Sequence, residues 1–186
     1  GAKIWELLQQ PENTKYAYLV LRHSAQTLLA PQEYDLKDFI MPVAEDVRGS
    51  FAESIQIFQG LVFILDDNIE LAKRQFQSLL EKTDNPMSKT ISQLYLLQIA
   101  LLEEDHEKAE EYASNRGVKS FLSLKMADTQ IMQAWYQFLV KKDRDQTDKA
   151  IKIARKNMVT SRLVRDEKRY YENWLAELEK ELSEGV

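Results

Sequence analysis

The sequence predicts an all-α protein: an array of antiparallel helix hairpins closed by a long C-terminal helix. Three observations predict it. Gly 5 and Pro 4 in 186 residues are too few for the many turns of an all-β fold, while Leu, Ala, Glu, Lys and Gln abound. Apolar residues recur three and four apart along most of the chain. Three times, a short acidic turn is followed a few residues later by an Ala that opens a second helical stretch. Apolar residues at 44% and charged residues at 30% allow a sizeable core beneath a charged surface.

The elements follow in order from caps and breakers. A short helix over Lys3–Gln9 stops before Pro11. Asn13 caps a second that runs to Ala30, with Tyr18, Leu21, Ala25 and Leu28 as its stripe and Pro31 as its stop. Residues 31–50 are less regular, with a helical turn over Asp35–Ile40 and a helix start at Pro42. Phe51–Asp66 pairs with Asn68–Lys82, and Asp84-Asn85-Pro86 is the exit. Ser88–Glu104 pairs with Glu107–Ser114, after which Asn115-Arg116-Gly117 reads as a helix-ending turn. Val118–Lys125 fits either helix or loop. Asp128–Lys142 pairs with Thr147–Met158 across Asp143-Arg144-Asp145. A long helix over 160–183 closes the chain, with Leu163, Tyr170, Trp174, Leu178 and Leu182 on one side. The whole reads as one helical domain: N-terminal helices over 1–50, three pairs over 51–158, then the capping helix. Gly1 in place of an initiator Met reads as a tag scar, which allows a longer parent chain.

One stretch tests the helical reading. Leu61-Val62-Phe63-Ile64-Leu65 is an unbroken run of strand-forming residues before Asp66-Asp67-Asn68. Alone it fits a buried strand. With Ala72 twelve residues after Gly60, and Phe76 one turn further, it fits the last turns of a helix covered on several sides.

The three acidic turns are Asp66-Asp67-Asn68, Glu103-Glu104-Asp105 and Asp143-Arg144-Asp145, and the Ala residues after them are Ala72, Ala109 and Ala150. These are 37 and 41 residues apart, a period typical of stacked helix pairs. Glu53–Pro86 resembles a tetratricopeptide repeat (TPR), with Gly60 as the small residue where two helices touch, then Ala72, Phe76 and Pro86 in the family's order. The other pairs depart from it: Leu97 and Phe138 stand where the small residue belongs, and Ala113 and Ala154 replace the aromatic. The resemblance covers about 51–158 and implies a right-handed solenoid. It also implies that the first helix of each pair lines a concave face.

On that face would lie Ser54, Ile57, Leu61 and Ile64, then Ile91, Leu94, Gln98 and Leu101, then Met132, Trp135, Leu139 and Lys142. Only Gln98 and Lys142 are polar donors there, so a clamp for a peptide's terminal carboxylate is not expected. Such an apolar trough either takes an amphipathic helix from a partner or is filled by this chain's own segments 13–30 and 43–50. The cost of exposing it favours the second, which makes Trp135 a core residue.

Charge is uneven. Residues 149–169 hold eight cations and two acids, a net +6 in a chain of net −5. Lys149, Lys152 and Lys156 (or Arg155) share one helix face, and Arg162, Arg165 and Arg169 share another. Such a strip is either a solvated face or a docking patch for an acidic protein, phosphate or anionic membrane surface. A pI near 5.2 speaks against nucleic acid.

Catalytic patterns are scarce. There is no cysteine, so thiol chemistry and thiolate metal sites are excluded. His106 sits on an acidic turn whose side chains diverge, and His23 sits on a helix between Leu19 and Thr27. Asp143, Asp145 and Asp148 resemble the start of a calcium loop, but Asp148 and Ala154 occupy the places of its Gly and Glu. No GxGxxG or GKS/T motif occurs.

The expected function is therefore a non-catalytic protein–protein interaction or scaffold module, in the cytoplasm or facing it, with no cofactor and no metal. Its partner would be another protein or a peptide. The candidate partner-binding residues are Gln98, Trp135, Lys142, Lys149, Lys152, Lys156, Arg162, Arg165 and Arg169. A second reading is a sensory helical domain that takes a small apolar ligand or a signalling peptide. A third is an anionic-surface binder acting through 149–169.

Overall fold

A computed structural model describes residues 34–38 and 50–185. The segments Lys3–Gln9, Asn13–Ala30 and the start at Pro42 lie outside the described residues, as does His23. Among the described residues every regular element is helical. They are α1 (Ser50–Leu65), α2 (Ile69–Lys82), α3 (Pro86–Leu102), α4 (His106–Ala113), α5 (Arg116–Leu122), α6 (Ala127–Tyr136), a π-helical segment (Gln137–Lys141), α7 (Arg144–Val159) and α8 (Arg165–Glu184).

The described chain falls into two compact units. One runs to Tyr95 and takes in Arg162–Asp166; the other holds Leu96–Ser161 and the chain from Glu167.

In the first unit, α1 and α2 form a hairpin. The Leu61–Leu65 run is helical, and Ile57, Phe58, Leu61 and Ile64 are fully buried at the three- and four-residue spacing of one helix face. Gly60 is where the helices come closest. A Cβ placed there would stand 2.5 Å from Phe76 Cζ. The Phe76 ring in turn stacks on Tyr95, with centroids 5.2 Å apart. Thr83 Oγ1, at the end of α2, donates to Glu53 Oε2 of α1 at 2.7 Å. Asn85 Oδ1 accepts from Met87 N–H at 2.9 Å, so Pro86 stands first in α3, where its missing N–H costs nothing. The 36–38 turn is tied to the 162–166 stretch: Leu36 N–H donates to Asp166 Oδ1 at 2.9 Å, and Arg165 Nε to Asp35 Oδ1 at 2.9 Å.

The acidic turns share a backbone device. Asp67, Glu104 and Lys142 are left-handed, at φ 60, 55 and 57. Asp67 and Glu104 stand two residues after a helix and Lys142 one residue after the π segment, and the next residue stands at the cap of the helix after it: Asn68 before α2, Asp105 before α4, Asp143 before α7. Asn68 N–H reaches back to Phe63 O at 2.7 Å and Asp105 N–H to Ala100 O at 2.9 Å, closing the preceding helix end. Asp143 N–H reaches one residue further, to Gln137 O at 3.0 Å, because the π segment holds an extra residue.

That insertion changes the repeat. Four residues after each cap stand Ala72, Ala109 and Thr147, all fully buried. Thr147, not Ala150, is therefore the positional equivalent of the first two. Allowing for the inserted residue, Ala134 takes the place that Gly60 holds in the first hairpin, rather than Phe138, and Ala134 is also fully buried.

A left-handed conformation suits Gly far better than a side chain bearing a Cβ. Glu104→Gly is therefore expected to raise unfolding free energy by about 1 kcal/mol, read as a higher urea midpoint at unchanged slope. A lower midpoint would mean that the Glu104 side chain contributes something the turn geometry does not show.

In the second unit, α6 and α7 form a hairpin. Asn115-Arg116-Gly117 does not end a helix. Asn115 is extended, its Oδ1 accepts from Val118 N–H at 3.1 Å, and α5 starts there. Gln130 Nε2 donates to Leu122 O at 3.0 Å and to Leu124 O at 2.7 Å, which pins the loop between α5 and α6. The chain over 161–164 is not helical, so α8 begins five residues later than the spacing predicts. Tyr171, Trp174, Leu175, Leu178 and Leu182 form the buried side of α8.

Candidate functional site

The nine candidate residues separate into two groups. Trp135 and Gln98 are used inside the fold. Trp135 is 5% exposed, stacks on Trp174 with centroids 5.7 Å apart, and donates its indole N–H to Trp174 O at 3.1 Å. Gln98 is fully buried and accepts from the Tyr171 hydroxyl at 3.0 Å. Both meet the C-terminal helix α8. An open groove at these two positions is not what the structure has. The segments 13–30 and 43–50, expected to fill it, lie outside the described residues.

The cations face outward. On α7 the buried side is Thr147, Ala150, Ala154 and Met158, which turns Lys149, Lys152 and Lys156 to solvent. At about 100° per residue these three lie within about 60° of one another, whereas Arg155 lies about 120° from Lys149. Arg155 instead forms a two-pronged pair with Glu179 of α8, with Nε 3.1 Å from Oε2. No hydrogen bond or ion pair among the described residues engages Lys149, Lys152 or Lys156. Arg162 and Arg169 are exposed. Arg165 is committed to Asp35, whose hydrogen bond and charge raise the guanidinium's pKa further above its already high value. Lys142 is exposed at its left-handed turn.

At the end of α7 is a feature the sequence spacing did not mark. A cleft of about 500 Å³ lies between the end of α7 and α8, lined by Arg155, Met158, Val159, Lys168, Glu172 and Leu175. Val159 is 83% exposed, unusual for a β-branched apolar side chain. The signal for it was slight: a Val placed one residue beyond the buried Met158 at the end of a cationic helix face.

His106 is exposed at the start of α4. Among the described residues no group of three or more His, Cys, Asp or Glu side chains could hold a metal ion. Among them, too, no helix is long and apolar enough to cross a membrane.

These features define an all-α helix-hairpin protein with a cationic face on α7. Comparison with protein-family models, curated proteins and solved structures gave no match.

Proposed function

We propose that this chain is a non-catalytic protein-interaction module of TPR-like helix-hairpin type, docking an acidic partner segment on the cationic face of α7. The observation that carries the reading is the alignment of Lys149, Lys152 and Lys156 on one exposed helix face, with none of the three ammonium groups held in an ion pair among the described residues. Three ammonium groups on one face attract an acidic partner and orient it. The cleft at the end of α7 supplies apolar side chains at Met158, Val159 and Leu175. An acidic segment carrying one apolar side chain meets both features. The TPR-like part rests on the Phe76–Gly60 approach and on the repeated turn at Asp67, Glu104 and Lys142.

Charge reversal tests it. The variant Lys149→Glu/Lys152→Glu/Lys156→Glu is expected to lose proteins that the parent chain captures, at unchanged helical circular dichroism. Lys108→Glu, on α4, is expected to keep them. Binding is also expected to weaken as salt rises, because exposed charge is screened within about 10 Å at 0.1 M. Retention of the same proteins by the triple variant overturns the reading.

A further inference from the structure

The π segment places a lysine where a regular helix could not. Tyr136 ends α6 and Lys141 ends the π segment. Five residues apart on an α-helix, they would point about 140° away from each other. With π winding, residue i+5 comes round over residue i. The Lys141 ammonium accordingly stands 5.7 Å from the centre of the Tyr136 ring and donates to Glu110 Oε1 of α4 at 2.8 Å.

This corner opens on a second cleft, of about 320 Å³, walled by α4, α5, α6 and the π segment. Its polar groups include Glu110, Lys119, Gln133, Tyr136, Gln137 and Lys141. Tyr136 is 7% exposed yet reaches this polar wall. Burial raises its pKa, so the hydroxyl remains a donor. The Lys141 hydrogen bond lowers the pKa of Glu110, and the Glu110 partner raises that of Lys141, so both are charged at neutral pH. The Lys119 ammonium is engaged by no hydrogen bond or ion pair among the described residues. Two ammonium groups against one carboxylate leave the cleft one positive charge in excess.

An exposed ion pair adds little stability by itself. A π turn winds with poorer geometry than an α turn and recurs at functional sites. Holding a lysine against a buried tyrosine in a polar cleft is a use for that winding that stability does not supply.

We propose that this cleft binds a small polar carboxylate. Lys119 and Lys141 take the carboxylate, the Tyr136 hydroxyl and the Gln133 and Gln137 amides take its remaining polar atoms, and Glu110 accepts from a hydroxyl or amino group beside it. The single excess charge matches a ligand with one carboxylate. A phosphate group, at about −1.5 to −2 near neutral pH, would overcharge a site that already holds Glu110. The space equals that of roughly ten water molecules, enough to admit a small hydroxy acid or amino acid with water beside it.

Saturation-transfer NMR on the full chain tests this with L-lactate, L-serine and ethanolamine as probes. Lactate and serine are expected to receive saturation, and ethanolamine, which lacks the carboxylate, is not. Lys119→Ala is expected to weaken lactate binding by about tenfold, the loss of one charge-assisted hydrogen bond, with the melting temperature unchanged. Lys108→Ala, whose ammonium pairs with Glu111 outside the cleft, is expected to bind as the parent does. Absence of transfer to both carboxylates, equal transfer to ethanolamine, undiminished binding in Lys119→Ala, or displacement of lactate by an equal concentration of inorganic phosphate would each overturn the proposal. The α7 triple variant is expected to keep lactate binding, so this site and the docking face stand or fall separately.

Discussion

Trp135→Ala is expected to lower the unfolding free energy by about 3–5 kcal/mol. Three losses combine. The indole leaves a cavity in a region with few gaps to collapse into, since Ile131, Met132, Ala134 and Leu139 around it in sequence are all buried. The stacked pair with Trp174 disappears, with its interplanar angle of 15°. The Trp174 carbonyl loses the indole N–H as a donor. Trp135→Phe separates these losses: it keeps most of the ring area and removes the hydrogen bond, so it is expected to cost about 1–3 kcal/mol. Both are read from urea unfolding followed by far-ultraviolet circular dichroism. A midpoint for Trp135→Ala equal to that of the parent would mean that α8 does not cover α6, and that Trp135 is available to a partner.

Most helix positions are legible in the sequence, and the exceptions have physical causes. Leu61–Leu65 reads as a strand by composition, yet Gly60, Ala72 and Phe76 mark it as helix, because only helices crossing closely need that spacing of small and aromatic residues. The start of α5 is obscured because Asn115-Arg116-Gly117 carries the residues of a helix end. There Asn115 is extended and caps the next helix, so no left-handed residue is needed. Leu163 reads as part of a helical stripe and is buried, but within the non-helical stretch 161–164; apolar spacing reports burial, not the backbone conformation beneath it. The π segment is invisible to any reading at 3.6 residues per turn. One inserted residue shifts every later position by about 100° and lengthens the third spacing by one, and Ala150 looks like the third repeat position because a Thr, not an Ala, stands four residues after the Asp143 cap. For the site, the α7 lysines are legible because their exposure follows from local spacing. Burial of Trp135 is expected from the cost of an exposed apolar trough, but its cover is not legible, nor is the burial of Gln98, because they depend on Trp174 and Tyr171, which are 39 and 73 residues away. Glu110, Lys119 and Lys141 carry no shared sequence pattern at all; two helices and a π turn bring them together.

Gly60→Ala is expected to destabilise the chain although it improves helix propensity. In an exposed helix the substitution would gain about 1 kcal/mol. Here the new Cβ would sit 2.5 to 2.9 Å from three atoms of the Phe76 ring. The ring has little room to withdraw: it is fully buried and lies against Tyr95 at 5.2 Å. Overpacking of this kind costs about 1–3 kcal/mol, so the steric term wins. Phe76→Ala removes the ring and is expected to cost about 3–5 kcal/mol, because Gly60 has no side chain to fill the space. The two positions are therefore coupled. In a Phe76→Leu background the added methyl at Gly60 meets a smaller side chain, and the penalty of Gly60→Ala is expected to vanish or reverse, an interaction energy of about 1–2 kcal/mol. Urea midpoints of the four chains in this cycle measure it. If Gly60→Ala alone raises the midpoint, propensity has won, the helices of the first hairpin are not held in contact at Gly60, and the resemblance of this hairpin to a TPR loses its physical basis.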